Sequence, residues 1–139
     1  MKKIISLILA ISCILCLASC SRGSEGKGDG LEVSIGSARI EKNILDEVVI
    51  IIRTHVNNTS DEEKDMIWLK DSATQAGKGL DIDAMSNENT YEKLPAGESF
   101  TVEYAYVLNE KDAKVKFTII SQEYGLNLEK EFDPELLLL

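Results

Sequence analysis

The sequence predicts an all-β domain, an antiparallel immunoglobulin-like β-sandwich of about seven strands, beginning at Leu31. Apolar and polar residues alternate along several segments, which is the pattern of half-buried strands. Turn-forming residues separate these segments at intervals of roughly 8–12 residues, as in two-sheet sandwiches. No convincing amphipathic helix interrupts them. The Cys-Trp-Cys pattern of antibody domains is absent, so the shape is predicted without that chemistry.

The first predicted strand contains a change of parity. Apolar residues occupy odd positions from Leu31 to Ile35 and even positions from Ala38 onward. A shift of one residue moves side chains to the opposite face of a sheet. The segment therefore predicts a bulge at Gly36-Ser37.

The strongest predicted strand runs from Glu47 to Asn57. Its first half, Val48–Ile52, is entirely β-branched, which favours a strand. Arg53 and His55 project from one face of its second half, so that face is expected to contact water. Further strands are predicted from the alternation that starts at Phe100, Val115 and Leu126.

The connecting segments are less regular. Met66–Leu69 is interpreted as a buried strand, and Thr74–Asp83 as a hairpin that turns at Gly77-Lys78-Gly79. Asp81–Lys93 is polar and is predicted to be a long surface loop. Turns are expected at Leu94–Gly97 and Asn109–Asp112.

The N-terminal segment has the layout of a secretory signal peptide. Lys2 and Lys3 precede the apolar run Ile4–Leu17, which at about 21 Å is too short to cross a hydrocarbon core of about 30 Å. The sequence Leu17-Ala18-Ser19-Cys20 resembles the lipobox of bacterial lipoproteins. In that family the cysteine thiol receives a diacylglyceryl group, and cleavage makes the cysteine the new N terminus. The resemblance predicts lipidation of Cys20, and a secreted product without lipid is the alternative.

Three regions follow from these boundaries. Residues 1–19 are predicted to be the cleaved helical signal peptide, residues 20–30 the acylated cysteine and a flexible Gly/Ser tether, and residues 31–139 the sandwich. The tether is predicted because Ser21–Gly30 contains glycines at four positions and no apolar residue.

The charge balance restricts the partners. The chain has 15 basic and 24 acidic residues and a net charge of −9, and removal of Lys2 and Lys3 makes it more acidic. Nucleic acid is therefore excluded as a partner, and so is polybasic docking on anionic lipid. Membrane attachment would depend on the acyl chains on Cys20.

Few residues offer chemistry. All three cysteines lie within the first twenty residues, and the Cys13-x-x-Cys16 pair would leave with the signal peptide. His55 is the only histidine and is expected on a sheet surface. The sequence shows no nucleophile elbow and no phosphate-binding loop. No catalytic residue, no cofactor and no defined metal site is predicted, and the chain is not expected to be an enzyme.

Three weaker candidates remain. Asp81, Asp83 and Glu88 lie in one acidic loop and are candidate ligands for calcium, although Met85 and Ser86 break the EF-hand pattern.

The aromatic residues Trp68, Tyr104 and Tyr106 are expected in the core rather than on a binding surface. Leu136–Leu139 is expected to close the core, and docking to a partner or to lipid is the alternative.

The order of several motifs resembles a known family. The motifs are Asn57-Asn58-Thr59-Ser60, Gln75-Ala76-Gly77-Lys78-Gly79-Leu80, Leu94-Pro95-Ala96-Gly97-Glu98-Ser99 and the strand Phe100–Leu108. In this order they resemble the immunoglobulin-like domain of unknown function in Gram-positive surface lipoproteins, related to the immunoprotective extracellular or telokin-like group. The family's Gln-x-Gly-x-x-Leu element is matched by Gln75, Gly77 and Leu80. The resemblance implies a sandwich on the outer face of the envelope and supplies no catalytic residue.

We therefore expect a lipid-anchored module on the extracytoplasmic face of the cell membrane. It would bind a protein or another component of the cell envelope without catalysis, through loops on the rigid sandwich. The alternative function is binding of a small solute or of calcium, as an accessory of transport or sensing.

Overall fold

A computed structural model describes residues 23–87 and 92–138 as a β-sandwich of antiparallel strands, which confirms the predicted fold class. The predicted signal peptide, Cys20 and Glu88 lie outside the described residues. The strands are β1 (Glu25–Gly28), β2 (Leu31–Lys42), β3 (Val48–Asn58), β4 (Lys64–Asp65), β5 (Lys70–Gln75), β6 (Lys78–Gly79), β7 (Lys93–Leu94), β8 (Ser99–Val107), β9 (Val115–Ser121) and β10 (Leu126–Phe132). A 3₁₀ turn covers Met66–Trp68 and the short helix α1 covers Pro134–Leu137.

The two main sheets have four strands each. Their orders are β1-β2-β3-β8 and β10-β9-β5-β6, and every neighbouring pair is antiparallel. The pair β4-β7 forms a separate small sheet. Among the residues described, none of the helical segments has the length and apolarity that crossing a lipid bilayer requires.

The core lies between the inner faces of the two sheets. Phe117 is fully buried at its centre and packs against Tyr104 and Tyr106, with ring centroids 5.4 Å and 6.0 Å away. The predicted burial of both tyrosines is confirmed. Thr54 is also buried, and its hydroxyl finds no hydrogen-bond partner in the described part of the chain.

The predicted bulge in β2 is present. The pairing of β2 with β3 shifts register between Ile35 and Ala38, so the residues on each side of Gly36-Ser37 keep their apolar side chains on the inner face. Ile35 lies opposite Thr54 and Ala38 lies opposite Ile52.

The predicted flexible tether is wrong for its second half. Glu25–Gly28 forms β1, which pairs with Leu31–Ser34 of β2. Gly23 also accepts a backbone hydrogen bond from Glu129 of β10, with N···O 3.0 Å. The folded domain therefore starts at least eight residues before the predicted boundary at Leu31, and β1 links the edges of the two sheets.

Two predictions for the middle of the chain also need correction. Met66–Leu69 was predicted to be a buried strand, but its first three residues form the 3₁₀ turn, and Trp68 is exposed. The predicted loop from Asp81 is partly ordered against β8, because the N–H of Asp83 donates to Ala105 and the N–H of Val107 donates to Asp81, both at 2.9 Å.

The sandwich has two ends that matter below. We call "the hairpin end" the one formed by the β2–β3 turn (43–47), the β8–β9 loop (108–114) and α1. We call "the Trp68 end" the opposite one, formed by the turns at 59–63 and 122–125 and by the 3₁₀ turn. The β5–β6 turn, at Ala76-Gly77 with positive φ of 48° and 77°, belongs to the hairpin end. It lies within the predicted hairpin and shares Gly77 with the predicted turn, but it begins one residue earlier.

A tryptophan-centred surface as the candidate functional site

The 3₁₀ turn holds Trp68 on the surface. The carboxylate of Asp65 accepts from the N–H of Ile67 at 3.1 Å, and the N–H of Leu69 donates to the carbonyl of Met66 at 3.0 Å. Met66 is buried, whereas Ile67 and Trp68 are exposed. The capped turn thus uses one residue as an anchor and directs the next two outward.

Asp65 is itself fixed by a tyrosine from the turn between β9 and β10. The Tyr124 hydroxyl accepts from the N–H of Asp65 and donates to its carbonyl, both at 3.0 Å. Lys64, next to Asp65, is largely buried, pairs with Asp29 at 3.0 Å and lies over the Tyr124 ring. The hydrogen bond that Lys64 donates to Asp29 raises the pKa of Lys64, so the amine remains charged at neutral pH. The turn that presents Trp68 is therefore held by several side chains.

Trp68 borders an open depression of about 310 Å³ at the Trp68 end. The depression is lined by Trp68, Lys70, Ile120, Gln122 and Glu123, which we call "the Trp68 surface". Trp68 is 48% exposed and Ile120 is 43% exposed. Ile67, the neighbour of Trp68 in sequence, is also exposed.

This arrangement has the chemistry of a recognition surface. A half-exposed indole supplies a large apolar area and one N–H donor, and tryptophan is enriched among residues that dominate binding interfaces. Lys70, Gln122 and Glu123 place a cation, an amide and an anion around it. An apolar centre with a polar rim is the usual anatomy of a protein interface.

Tyr104 and Tyr106 have structural roles instead. The Tyr106 hydroxyl donates a hydrogen bond to Asp71 of β5, which ties the two sheets together. Burial, followed by the nearby charge of Asp71, raises the pKa of both tyrosine hydroxyls well above the usual value of 10. Neither is available to a partner.

His55 lies on the outer face of β3, as predicted for a sheet-surface histidine. It borders a polar depression of about 470 Å³ over β1, β2 and β3. The charged groups there pair with each other, since Glu32 lies 3.0 Å from Lys27 and accepts from Asn57 at 3.3 Å. The hydrogen bond with Lys27, followed by that with Asn57, lowers the pKa of Glu32. Ser34, which lies opposite His55 across the β2–β3 pair, donates to Glu25 at 3.4 Å in the same depression.

The candidate calcium ligands are not brought together. Asp81 is exposed, whereas Asp83 is largely buried and its carboxylate accepts from the hydroxyl of Ser86 at 2.7 Å. Within 23–87 and 92–138, no group of three or more acidic, histidine or cysteine side chains could hold a metal ion. Glu88 lies outside these ranges. The calcium hypothesis stays a prediction without support from Asp81 and Asp83.

The Gln-x-Gly-x-x-Leu element proves to be structural. The buried side chain of Gln75 accepts from the N–H groups of Asn109 and Glu110, at 2.9 Å and 3.1 Å. It also donates to the carbonyls of Glu110 and Ala113, at 2.9 Å and 2.8 Å. These four hydrogen bonds fix the β8–β9 loop, while Leu80 is buried in the core.

Sequence reasoning missed the Trp68 surface. It placed Trp68 in the core because Met66–Leu69 is an uninterrupted apolar run. A signal was available in Asp65, since aspartate just before such a run is a frequent cap of a helical turn, and a single turn cannot bury every residue. Ile120 gave no comparable signal.

Among residues 23–87 and 92–138, the β-sandwich thus exposes one large aromatic side chain, that of Trp68. A family model described as a domain of unknown function, DUF5067, matches residues 19–119, so the chain belongs to this family. No curated protein matches the sequence.

Solved structures share the fold at low sequence identity. A candidate lipoprotein (ycdA) of Bacillus subtilis subsp. subtilis str. 168 matches 83% of the chain at 14% identity, with a TM-score of 0.62. The chain spans 40% of the length of that protein. An uncharacterised β-sandwich protein (CD630_09570) of Clostridium difficile 630 matches 81% of the chain and 91% of its own, at 14% identity and a TM-score of 0.57. The yjhA protein of Bacillus subtilis matches 81% of the chain and 96% of its own, at 10% identity and a TM-score of 0.53.

Proposed function

We propose that the chain is a lipid-anchored extracytoplasmic lipoprotein whose sandwich binds a protein or another envelope component through the Trp68 surface, without catalysing a reaction. The observation that carries the proposal is the exposure of Trp68 beside Ile120 on a turn fixed by Asp65 and Tyr124. A rigid support lowers the entropy that binding would otherwise cost.

The anchoring half of the proposal depends on the sequence Leu17-Ala18-Ser19-Cys20. The fold shared with ycdA, which is described as a candidate lipoprotein, supports it. Mass spectrometry of the mature N terminus from membranes tests it. A diacylglyceryl group on Cys20 is the expected result, and an unmodified thiol would contradict it.

The binding half can be followed through intrinsic fluorescence, because Trp68 is the only tryptophan in the chain. Any partner that covers the Trp68 surface should shift the emission to shorter wavelength and protect it from acrylamide. Purified cell-wall glycan, anionic wall polymer and solubilised membrane protein should be titrated separately. One of them is expected to give a saturable shift.

Variants then locate the contact. Trp68→Ala is expected to lower the affinity for that fraction at least about tenfold, as for a central aromatic anchor. Leu45→Ala is the matched control, because Leu45 is an exposed apolar residue at the hairpin end. This variant should bind the fraction with the affinity of the wild type. Both variants should keep the stability of the wild type. The proposal would be contradicted if no fraction changed the tryptophan emission, or if both variants lost the same affinity.

A further inference from the structure

Four strongly exposed aliphatic side chains lie at the hairpin end. Ile44 and Leu45, at the tip of the β2–β3 turn, are 78% and 68% exposed. Leu136 and Leu138, in and after α1, are 69% and 61% exposed. Leu138 also lines an apolar depression of about 150 Å³ with Ile40, Val48, Leu108 and Lys111. Such clusters are unusual on a surface that contacts only water.

The tip of the turn is held firmly in place. The side-chain oxygen of Asn43 accepts from the N–H groups of Leu45 and Glu47, at 2.9 Å and 3.0 Å. Lys42 pairs with Asp46 across the turn at 2.8 Å. The projection of Ile44 and Leu45 into solvent is therefore built into the turn.

The course of β1 shows from which side the chain reaches the domain. Gly28 lies opposite Leu31, Glu25 lies opposite Ser34, and the carbonyl of Ser24 accepts from Ile35 at 2.8 Å. Because β2 runs from Leu31 toward the hairpin end, following β1 backward also leads toward that end. At Gly23, the first described residue, the backbone therefore leads back toward the hairpin half of the sandwich.

The distance to the proposed anchor is short. Three residues lead from Cys20 to Gly23, and they span at most about 11 Å when fully extended. With Cys20 at the membrane surface, a domain that begins at Gly23 cannot stand clear of the lipid headgroups. The half of the sandwich that comes nearest is the hairpin half.

We propose that Ile44, Leu45, Leu136 and Leu138 insert into the interfacial region of the membrane that holds the acyl chains of Cys20. This inference rests on the lipid anchoring proposed above. Transfer from water to the boundary of headgroups and acyl chains, about 5–10 Å deep, lowers the free energy of apolar side chains. The net charge of −9, which becomes more negative when the signal peptide is removed, gives no attraction to anionic lipid. The contact is therefore apolar, and salt, which screens the repulsion, should not weaken it. It turns the Trp68 surface away from the membrane.

Two proteins with a single tryptophan test this orientation. One is the wild type, with its only tryptophan at the Trp68 end, and the other is Leu45→Trp/Trp68→Phe. Each full chain is produced in a bacterium that processes lipoproteins and is reconstituted into vesicles of phosphatidylethanolamine and phosphatidylglycerol, a part of which carries bromine on the acyl chains. Bromine quenches tryptophan only at contact.

The double variant is expected to lose roughly half of its emission on brominated vesicles, as for a side chain seated at the interfacial depth. The wild type should keep its emission. Adding Ile44→Asp to the double variant should reduce the quenching, and high salt should not. Equal quenching of both proteins, or none in the double variant, would overturn the proposal. Emission that is already shifted without vesicles, together with dimers in sedimentation, would identify a second copy as the occupant and also overturn it.

Failure of the anchor can be separated from failure of the insertion. If mass spectrometry finds no acyl chain on Cys20, a chain that begins at Cys20 is produced instead. Cys20 is its only cysteine and can be coupled to a maleimide lipid. The same comparison of quenching then tests the insertion alone. Quenching of the coupled double variant supports it, and the absence of quenching contradicts it.

Discussion

Gly28 lies directly against the backbone carbonyl of Tyr124, so closely that a Cβ atom at this position would collide with the carbonyl oxygen. Gly26, two residues earlier, faces Leu128 of β10 in the same way, with a Cβ atom 2.5 Å from a leucine methyl group. Gly26 and Gly28 therefore allow the close approach of β1 to β10 and to the turn before it, and do not serve flexibility.

Gly28→Ala is expected to destabilise the domain by about 2–3 kcal/mol, because a backbone carbonyl cannot move aside as a side chain can. Gly79→Ala is the matched control, since a Cβ atom there meets nothing within 4 Å. Urea denaturation of both variants measures the difference. Equal free energies of unfolding would show that β1 does not pack as described.

Thr54→Val should stabilise the protein by up to about 1 kcal/mol. The Thr54 hydroxyl is buried without a partner among the described residues, and valine keeps the shape while removing the cost of desolvation. Thr54→Ser keeps the hydroxyl, loses a methyl group and should destabilise. A stability of Thr54→Val below that of the wild type would indicate that the hydroxyl has found a partner, such as a buried water.

Gln75→Glu should destabilise the domain by about 2–4 kcal/mol at neutral pH. A carboxylate still accepts from Asn109 and Glu110, but it repels the two carbonyls to which the Gln75 amide donates. The introduced carboxyl should have a raised pKa, so the loss should shrink as the pH falls and the group becomes protonated. Thermal denaturation of variant and wild type across acidic pH measures this. A loss that is independent of pH would contradict the proposed cause.

Stability should decline at alkaline pH because of the two core tyrosines. Their pKa values are raised above 10 in the folded state, first by burial and then by Asp71. Both hydroxyls stay protonated in the folded state while those of the unfolded chain ionise, so stability is complete below about pH 10 and falls above it. Each tyrosine contributes a slope of about 1.4 kcal/mol per pH unit.

The control for this effect is Tyr104→Phe/Tyr106→Phe. It should be less stable at neutral pH, because the hydrogen bond to Asp71 is lost. Its decline above about pH 10 should be shallower than that of the wild type. Denaturation midpoints across the alkaline range measure both slopes, and parallel curves would assign the alkaline loss to other groups.

The long strands were predictable because burial of one face of a strand makes apolar and polar residues alternate along its sequence. β8, β9, β10 and the second half of β3 show that alternation, and the parity change at Gly36-Ser37 located the bulge of β2 correctly. The alternation is strong where one face meets the core and the other meets water.

β1 shows no such alternation. It buries no apolar side chain, and its conformation is decided by the neighbouring backbones of β2 and β10, which are distant in sequence. Composition alone therefore suggested a tether. The prediction for Trp68 was wrong for a related reason. Hydrophobicity cannot distinguish a buried apolar residue from one that a capped turn of three residues leaves exposed.

The position of β1 also has a mechanical consequence. A pull between the N terminus and a partner held at the Trp68 end would act along the axis of β1. Its hydrogen bonds to β2, and the bond between Gly23 and Glu129, would then be loaded together in shear rather than opened one after another. The short strand next to the proposed anchor is thus placed to bear tension, and its glycines, packed against β10, form the part of the domain through which that force would enter.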